Sequence, residues 1–443
     1  MKKWSKVILL KIGRDRLSVD VFKASLLGFV SSILSQGSSF ISFMLLARLL
    51  GGEDFGKLSI FYSSMLFLSL IVIFGATVPL SKEIAESNAS NDKVSIGETI
   101  KGHFQTSLFI YFLFAIVFLS FYQQASYLLM NSLDLGREAF LFLLLFYSIH
   151  TIQYNILLGL RAYNKSILSS MGRSVLNFMP VAGFFFGGLD SSIVFMGLSY
   201  LFSVFLNHIL LKMEYKEKEI DFRILTFPRT QKLFANHLKN SLPYFLGSIF
   251  VFPVTWLTNR MLISGQNGFI QLGVFNSIYQ LRNIIVFLPN SLSSIFLPMM
   301  TATYQSKKFL ELKKILKMFM AVSFLFGLGV NLVVILFTNQ IVSYFGASFE
   351  IERELIYVVS FTNLLLTIQI ALGVFLNSVG KMWQGFWANL LWAIILISSF
   401  RIILEYGLLS GSVSLSYSYL IAYVFAGVLL YFFMMRSLTL LKA

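Results

Sequence analysis

Residues 24–47, ASLLGFVSSILSQGSSFISFMLLA, and residues 58–79, LSIFYSSMLFLSLIVIFGATVP, are two apolar stretches separated only by the link RLLGGEDFGK at 48–57. Neither stretch contains Asp, Glu, Lys or Arg. Covering the hydrocarbon core of a bilayer takes roughly 20 mostly apolar residues in a helix, so each stretch is long enough to span. Outward from this hairpin the pattern recurs at 104–123, 139–160, 166–187, 192–211, 240–262, 272–298, 316–338, 354–378, 382–402 and 414–435. The chain is therefore expected to be an all-α polytopic membrane protein with about twelve transmembrane helices.

The basic residues fall in alternate loops. Placing the N-terminus in the cytoplasm puts 27 of the 35 Lys and Arg inside, 5 outside and 3 within helices, at Arg173, Arg260 and Arg282. The positive-inside rule then gives both termini as cytoplasmic.

Composition agrees with this class. The chain is 57% hydrophobic and 12% charged with mean hydropathy +0.77, and a soluble globular domain carries about twice that charged fraction. Its net charge of +15 sits where anionic headgroups would attract it: Lys2, Lys3, Lys6, Lys11, Arg14 and Arg16 precede the first span, and Lys307, Lys308, Lys313, Lys314 and Lys317 flank the start of the ninth. No extramembrane domain is left to present these charges to nucleic acid, so no nucleic-acid partner is expected. Residues 1–23 are too charged for a signal peptide and lack a small-residue cleavage site. Without Cys there can be no disulfide, thiolate metal site or thiol nucleophile.

The longest polar segment after the N-terminus is 212–239, rich in Lys and Glu. The expected organisation is a basic cytoplasmic segment at 1–23, a six-helix bundle at 24–211, a cytoplasmic linker at 212–239, a second six-helix bundle at 240–435 and a tail at 436–443. Because six is even, both bundles start on the same side, so a repeat would be parallel, about an axis along the membrane normal. Arg48-Leu49-Leu50 followed by Phe61-Tyr62-Ser63 resembles Arg260-Met261-Leu262 followed by Phe275-Asn276-Ser277, and the second and eighth spans both end near proline, at Pro79 and Pro298. Pro180, Pro243, Pro253 and Pro289 lie within further spans, where they bend helices.

Charges at bilayer depth are costly unless they face a cavity or a partner. Arg282 lies about ten residues into the eighth span, near the midplane at 1.5 Å per residue. Arg173 lies in the fifth span and His150 in the fourth; Arg48 and Arg260 sit near external ends, where snorkelling is the alternative. On a continuous helix, Arg282, Tyr279, Asn276, Asn283, Asn290, Ser293 and Ser294 share one polar face. The Asn and Ser residues could equally bond neighbouring helices. Gln36 shares a face with Ser25, Ser32 and Ser39, either for close helix contact or to line a cavity. His150 reads first as a packed hydrogen-bonding group.

On this reading no Asp or Glu lies inside any span, and Glu98, Glu138 and Glu354 sit at span ends. Cation-coupled exporters generally need such a carboxylate to bind and release the ion. Inward-facing arginines without carboxylates suit an anionic substrate instead, because a planar guanidinium matches phosphate oxygens bidentately. Nucleotide-binding, metalloprotease and nucleophile-elbow motifs are absent, and the external loops are too short for the domain a membrane-embedded polymerase needs. No cofactor is expected.

Together these features resemble the polysaccharide-biosynthesis flippases of the multidrug/oligosaccharidyl-lipid/polysaccharide exporter (MOP) superfamily. The resemblance rests on Ala47 to Ser59 (ARLLGGEDFGKLS), on Gly273-Val274-Phe275-Asn276 opening the eighth span, and on Gly380-Lys381 between the tenth and eleventh. It implies a bacterial inner-membrane protein with two six-helix bundles around a cationic cavity. Its substrate would be an undecaprenyl-diphosphate-linked sugar repeat unit, moved from the cytoplasmic to the periplasmic leaflet for O-antigen (lipopolysaccharide), capsule or a related polymer. Association with a polysaccharide polymerase and a chain-length regulator would follow. On this reading Arg282 contacts the diphosphate or an acidic sugar, Arg48, Arg173 and Arg260 are further cavity cations, Asn276, Asn283 and Asn290 bond the sugars, and Tyr279 and Gln36 are further substrate-binding candidates. A drug or metabolite antiporter of the same superfamily, a membrane-embedded polymerase and a scaffold protein remain alternatives.

Overall fold

The computed structural model describes residues 16–75, 77–130, 136–220, 245, 250–345, 349, 351–407 and 409–440. The basic residues before Arg16, most of the expected linker, Pro243 and the first part of the seventh span lie outside the described residues. Described in chain order are α1 (Arg16–Ile73), α2 (Thr77–Ala89), α3 (Lys93–Ser120), α4 (Tyr122–Met130), α5 (Arg137–Gly159), α6 (Tyr163–Leu176) and α7 (Met179–Lys218). After the linker come α8 (Phe252–Ile263), α9 (Gly268–Tyr279), α10 (Leu281–Ile285), α11 (Phe287–Gln305), α12 (Phe309–Leu336), α13 (Thr338–Phe345), α14 (Arg353–Ser378), α15 (Met382–Tyr406) and α16 (Gly411–Leu440).

α1 is two spans folded back on themselves. Phe43 and Tyr62 are nineteen residues apart, yet their ring centroids lie 5.6 Å from each other, where a straight helix would separate them by roughly 28 Å. The reversal occurs at Gly51, whose φ of 77° and ψ of 174° lie where a Cβ is not tolerated. α7 does the same at Gly187–Gly188, which brings Phe186 and Phe195 to a 5.4 Å stack. Eight helical runs among the described residues are long and apolar enough to cross a membrane. The two folded ones count double, which gives ten spans among the described residues, and α8 and α9 to α11 lie where the seventh and eighth were expected.

Two expected helices are broken, with a proline accounting for the break at Asn177–Phe178 and for the one at Val286 but not for the one at Gln280. The fifth span divides into α6 and the first leg of α7, with Pro180 in the first turn of the latter. The eighth is not the continuous 272–298 helix expected but three segments, α9, α10 and α11. Pro289 cannot donate to the carbonyl four residues back and its ring crowds that carbonyl. The chain accordingly resets at Val286.

Large side chains are left bare on the outer faces. Phe109, Phe112, Leu113 and Ile116 on α3, and Leu325, Leu332, Val333 and Leu336 on α12, are all exposed. Contiguous apolar surface of this kind needs lipid around it. Inside, Phe55, Phe61, Phe140, Phe275, Phe375 and Phe400 are fully buried. Ser and Thr hydroxyls are largely returned to their own helices, as Ser148 to the Leu144 carbonyl and Thr362 to the Val358 carbonyl, which keeps polar groups satisfied where no water is present.

At the end of the bundle that carries the basic loops, α2, α5, α6 and α7 are tied by charge. Lys165 bridges Glu214 at 2.6 Å and Glu217 at 2.7 Å. Lys218 donates to the Leu160 carbonyl at 2.6 Å, covering an orphan acceptor at the end of α5, and to Asn88 Oδ1 at 3.1 Å. Lys93 pairs with Glu219 at 2.8 Å and holds its carboxyl below the usual carboxylate range.

Candidate functional site

The two deep arginines sit in separate clusters, each built from aromatic faces. In the first half, Arg173 of α6 places its guanidinium carbon 3.6 Å from the centre of the Tyr200 ring and donates from Nη1 to Ser199 Oγ at 2.9 Å. Tyr62 and Tyr147, from the second leg of α1 and from α5, share this electrostatic neighbourhood. Tyr147 packs edge-on to Tyr200 at 5.2 Å. Inserting an Arg at helix centre costs about 2.5–3.5 kcal/mol on translocon scales, and a desolvated cation–π contact returns about 2 kcal/mol. Among the described residues no carboxylate pairs with Arg173 or Arg282, so their charges remain available.

Beside Arg173 lies a small cavity of about 40 Å³, lined by Ser39, Ser42, Tyr62, Asn177, Pro180 and Tyr200 among others. Ser42 donates to the Asn177 carbonyl, and the Asn177 amide donates to Ser38 Oγ at 3.1 Å. These contacts hold α1 against the break between α6 and α7. The cavity thus presents a guanidinium, hydroxyls and an amide on one wall, a donor set that suits phosphate or sugar oxygens.

In the second half, Arg282 of α10 donates from Nη1 to Tyr279 Oη at 3.1 Å. Its electrostatic neighbours are the hydroxyls of Tyr279, Tyr423 and Tyr419. Tyr419 stacks near Phe275 and Tyr279 at 5.7 and 5.3 Å, and Trp392 of α15 lies 5.7 Å from Tyr423. Among the described residues, four buried N–H groups in this half have no acceptor: Arg282 Nε, Asn276 Nδ2, Asn363 Nδ2 and Trp392 Nε1. Unpaired buried donors cost free energy, so an acceptor-rich ligand that reached them would be stabilised.

The other sequence candidates lie elsewhere. Asn283 is exposed and bonded to Gln280 at 2.8 Å; Asn290 is also exposed, and Gln36 is half-buried on α1. Arg48 is exposed and stacks over Tyr344 of α13 at 4.9 Å. Arg260 donates to the Leu128 and Tyr127 carbonyls, both at 3.1 Å. Thus Arg282, Tyr279 and Asn276 share one half, Arg173 lies in the other, and Arg48 and Arg260 belong to the end of the bundle opposite the basic loops. His150 is a packed bonding group, its Nδ1 within 2.9 Å of Ser203 Oγ and 3.1 Å of Asn207 Nδ2.

The tyrosines of the first half, Asn177, Trp392, Tyr419 and Tyr423 escaped the sequence reading, which followed formal charges and the polar face of the eighth span. One signal was available: Ser199-Tyr200-Leu201 and Ser418-Tyr419-Leu420 recur in the sixth and twelfth spans, which are partners under a six-span repeat.

Comparison with known proteins agrees with this architecture. Residues 21–304 match the family model described as polysaccharide biosynthesis protein, and residues 243–406 match that of MatE. The chain is 23% identical over 415 residues to the capsular polysaccharide biosynthesis protein CapF of Staphylococcus aureus, covering 89% of this chain and 96% of that one. Among solved structures, the inward-facing conformation of a multidrug resistance MATE family transporter of the MOP superfamily superposes with a TM-score of 0.77 at 16% identity, covering 92% of this chain and 95% of that one. A MOP superfamily transporter from Pyrococcus furiosus superposes with a TM-score of 0.67 at 16% identity, covering 95% and 96%. The chain is a multi-pass integral membrane protein and belongs to the polysaccharide biosynthesis protein family.

Proposed function

We propose that this protein flips an undecaprenyl-diphosphate-linked oligosaccharide repeat unit from the cytoplasmic to the periplasmic leaflet of the bacterial inner membrane, for assembly of a surface polysaccharide such as capsule or O-antigen. The observation that carries the proposal is the Arg173 site: a guanidinium without a carboxylate partner among the described residues, with hydroxyls and an amide around a small cavity, in a chain of the polysaccharide biosynthesis family. A lipid diphosphate is anionic and bidentate, which a guanidinium recognises. The sugars offer oxygens to hydroxyl and amide donors, and the polyprenyl tail can stay in lipid.

In this scheme Arg173 and Arg282 are the two principal cations. Arg173 takes the diphosphate at the open cavity. Arg282, Asn276 and Tyr279 take acceptor groups of the sugars when the second half opens, with Asn283, Asn290 and Gln36 at the margins. The two bundles alternate access to the two leaflets. The absence of any Asp or Glu inside a span argues against the antiporter alternative.

The test is the sidedness of lipid-linked repeat units in cells lacking the protein, read with a membrane-impermeant glycan-modifying probe on intact spheroplasts. Accumulation on the cytoplasmic side, cleared by a complementing copy, is the expected result. Delivery of single units to the outer leaflet without polymer would point to the polymerase alternative and overturn the proposal.

A further inference from the structure

Opposite the basic loops, the two halves meet backbone to backbone. A Cβ built on Gly56 would lie 1.8 Å from the Phe269 carbonyl oxygen, and one on Gly273 would lie 2.0 Å from the Gly52 carbonyl oxygen. The contact is reciprocal: a glycine of the second leg of α1 against the backbone of α9, and a glycine of α9 against the backbone that follows the Gly51 turn. The α1–α9 contact is among the most extensive between any two described elements. Small residues of this kind let helices meet flush without interlocking side chains, so they can part without repacking.

Around this seam, donors from the second half reach carbonyls at the end of α4 in the first half, of which the Leu129 carbonyl also accepts from Ser64 Oγ of α1 at 2.7 Å. Arg260 Nε donates to the Leu128 carbonyl and Nη2 to the Tyr127 carbonyl, both at 3.1 Å; Trp256 Nε1 donates to the Leu129 carbonyl at 3.2 Å. The last carbonyls of a helix have no partner within it, so three successive ones form an acceptor strip that a guanidinium and an indole can occupy and leave. Phe55 against Phe349 at 6.5 Å and Arg48 over Tyr344 at 4.9 Å complete the closure. Towards the basic end, the halves touch where Phe74 stacks on Phe245 at 4.8 Å, while α11 packs chiefly on α12 and α14 of its own half.

We propose that Gly56, Gly273, Arg260 and Trp256 form a reversible latch that closes the end of the bundle opposite the basic loops. Arg260 is then a positioning residue that holds one conformation and does not contact the substrate. The inference rests on the alternating-access part of the proposed function, but its test requires no lipid-linked glycan, so failure of the latch and failure of the flippase assignment are distinguishable.

The chain contains no Cys, so a single Ser39→Cys at the half-buried lining of the Arg173 cavity reports access without background. A membrane-impermeant maleimide is applied separately to each membrane face. With the latch intact, labelling comes mainly from the basic-loop face. Gly56→Ala, whose methyl cannot fit the closed seam, is expected to raise labelling from the opposite face about tenfold, as a shift of the open population requires. Arg260→Gln and Trp256→Phe, which remove donors without adding bulk, are expected to raise it severalfold and keep the test valid should Gly56→Ala fail to insert. Unchanged labelling from the opposite face in Arg260→Gln and Trp256→Phe would overturn the latch, as would equal labelling from both faces in the otherwise native chain.

Discussion

Arg173 lies with its guanidinium carbon 3.6 Å above the Tyr200 ring, and its Nη1 donates to Ser199, the residue next to that tyrosine in the chain. One short piece of the sixth span therefore fixes both the plane and the rim of the guanidinium. A cation held this way keeps its charge at bilayer depth without a carboxylate, and an anionic ligand meets no competing acid.

The ring face, not the hydroxyl, is what Arg173 requires of residue 200. Tyr200→Phe should leave transport within about twofold of the native level, whereas Tyr200→Leu removes a contact of about 2 kcal/mol and should lower it tenfold or more. Surface polymer per unit of inserted protein is the readout, and equal activity of the two variants would show that the ring does not position the arginine.

Arg282 should not tolerate neutralisation. Arg282→Ala is expected to abolish transport with the protein still inserted, and Arg282→Lys to keep part of it, because an ammonium retains the charge but not the bidentate fork. Native transport in the alanine variant, at matched membrane levels, would remove Arg282 from the site.

The unpaired donors of the second half predict an asymmetry between near-isosteric changes. Asn276→Asp replaces a donor with an anion and should depress transport about tenfold or more, since it places a negative charge where the substrate's acceptors must come. Trp392→Phe, which keeps the ring and loses the N–H, should cost less. Transport rates for the two variants at matched protein levels decide this, and it fails if Asn276→Asp is silent.

Stability at the basic end depends on the Lys165–Glu214 pair. Glu214 is 6% exposed, so Lys165→Ala leaves a buried carboxylate with only Lys218 at 3.4 Å as partner. A loss of roughly 1–3 kcal/mol is expected, read as a lower melting temperature of the purified protein in detergent. Lys165→Ala combined with Glu214→Gln should recover part of it.

The spans and the first hairpin were legible in the sequence because crossing a bilayer demands both length and apolarity, and because the turn at Gly51 lies where the only polar link between two spans falls. The break at Val286 was less so, since the consequence of Pro289 depends on whether the helix bends around the proline or restarts. The tyrosine clusters were least legible of all. Tyr62, Tyr147 and Tyr200 come from three different spans to meet Arg173 from a fourth, and each is by itself an ordinary aromatic residue of an apolar helix; only packing brings their faces to one cation. Arg260 looked like a cavity cation for the same reason, because a sequence shows that an arginine lies near a helix end but not that carbonyls of another helix wait there.

The most direct measurement of the central claim is made on purified protein reconstituted into vesicles containing a diphosphate-linked polyprenyl oligosaccharide in both leaflets, with an impermeant glycan-cleaving enzyme outside. If this chain moves the lipid-linked glycan itself, the enzyme should consume nearly all of the substrate in vesicles with native protein and about half in vesicles with Arg173→Ala or with no protein. Consumption that stops at about half with the native protein would contradict the account.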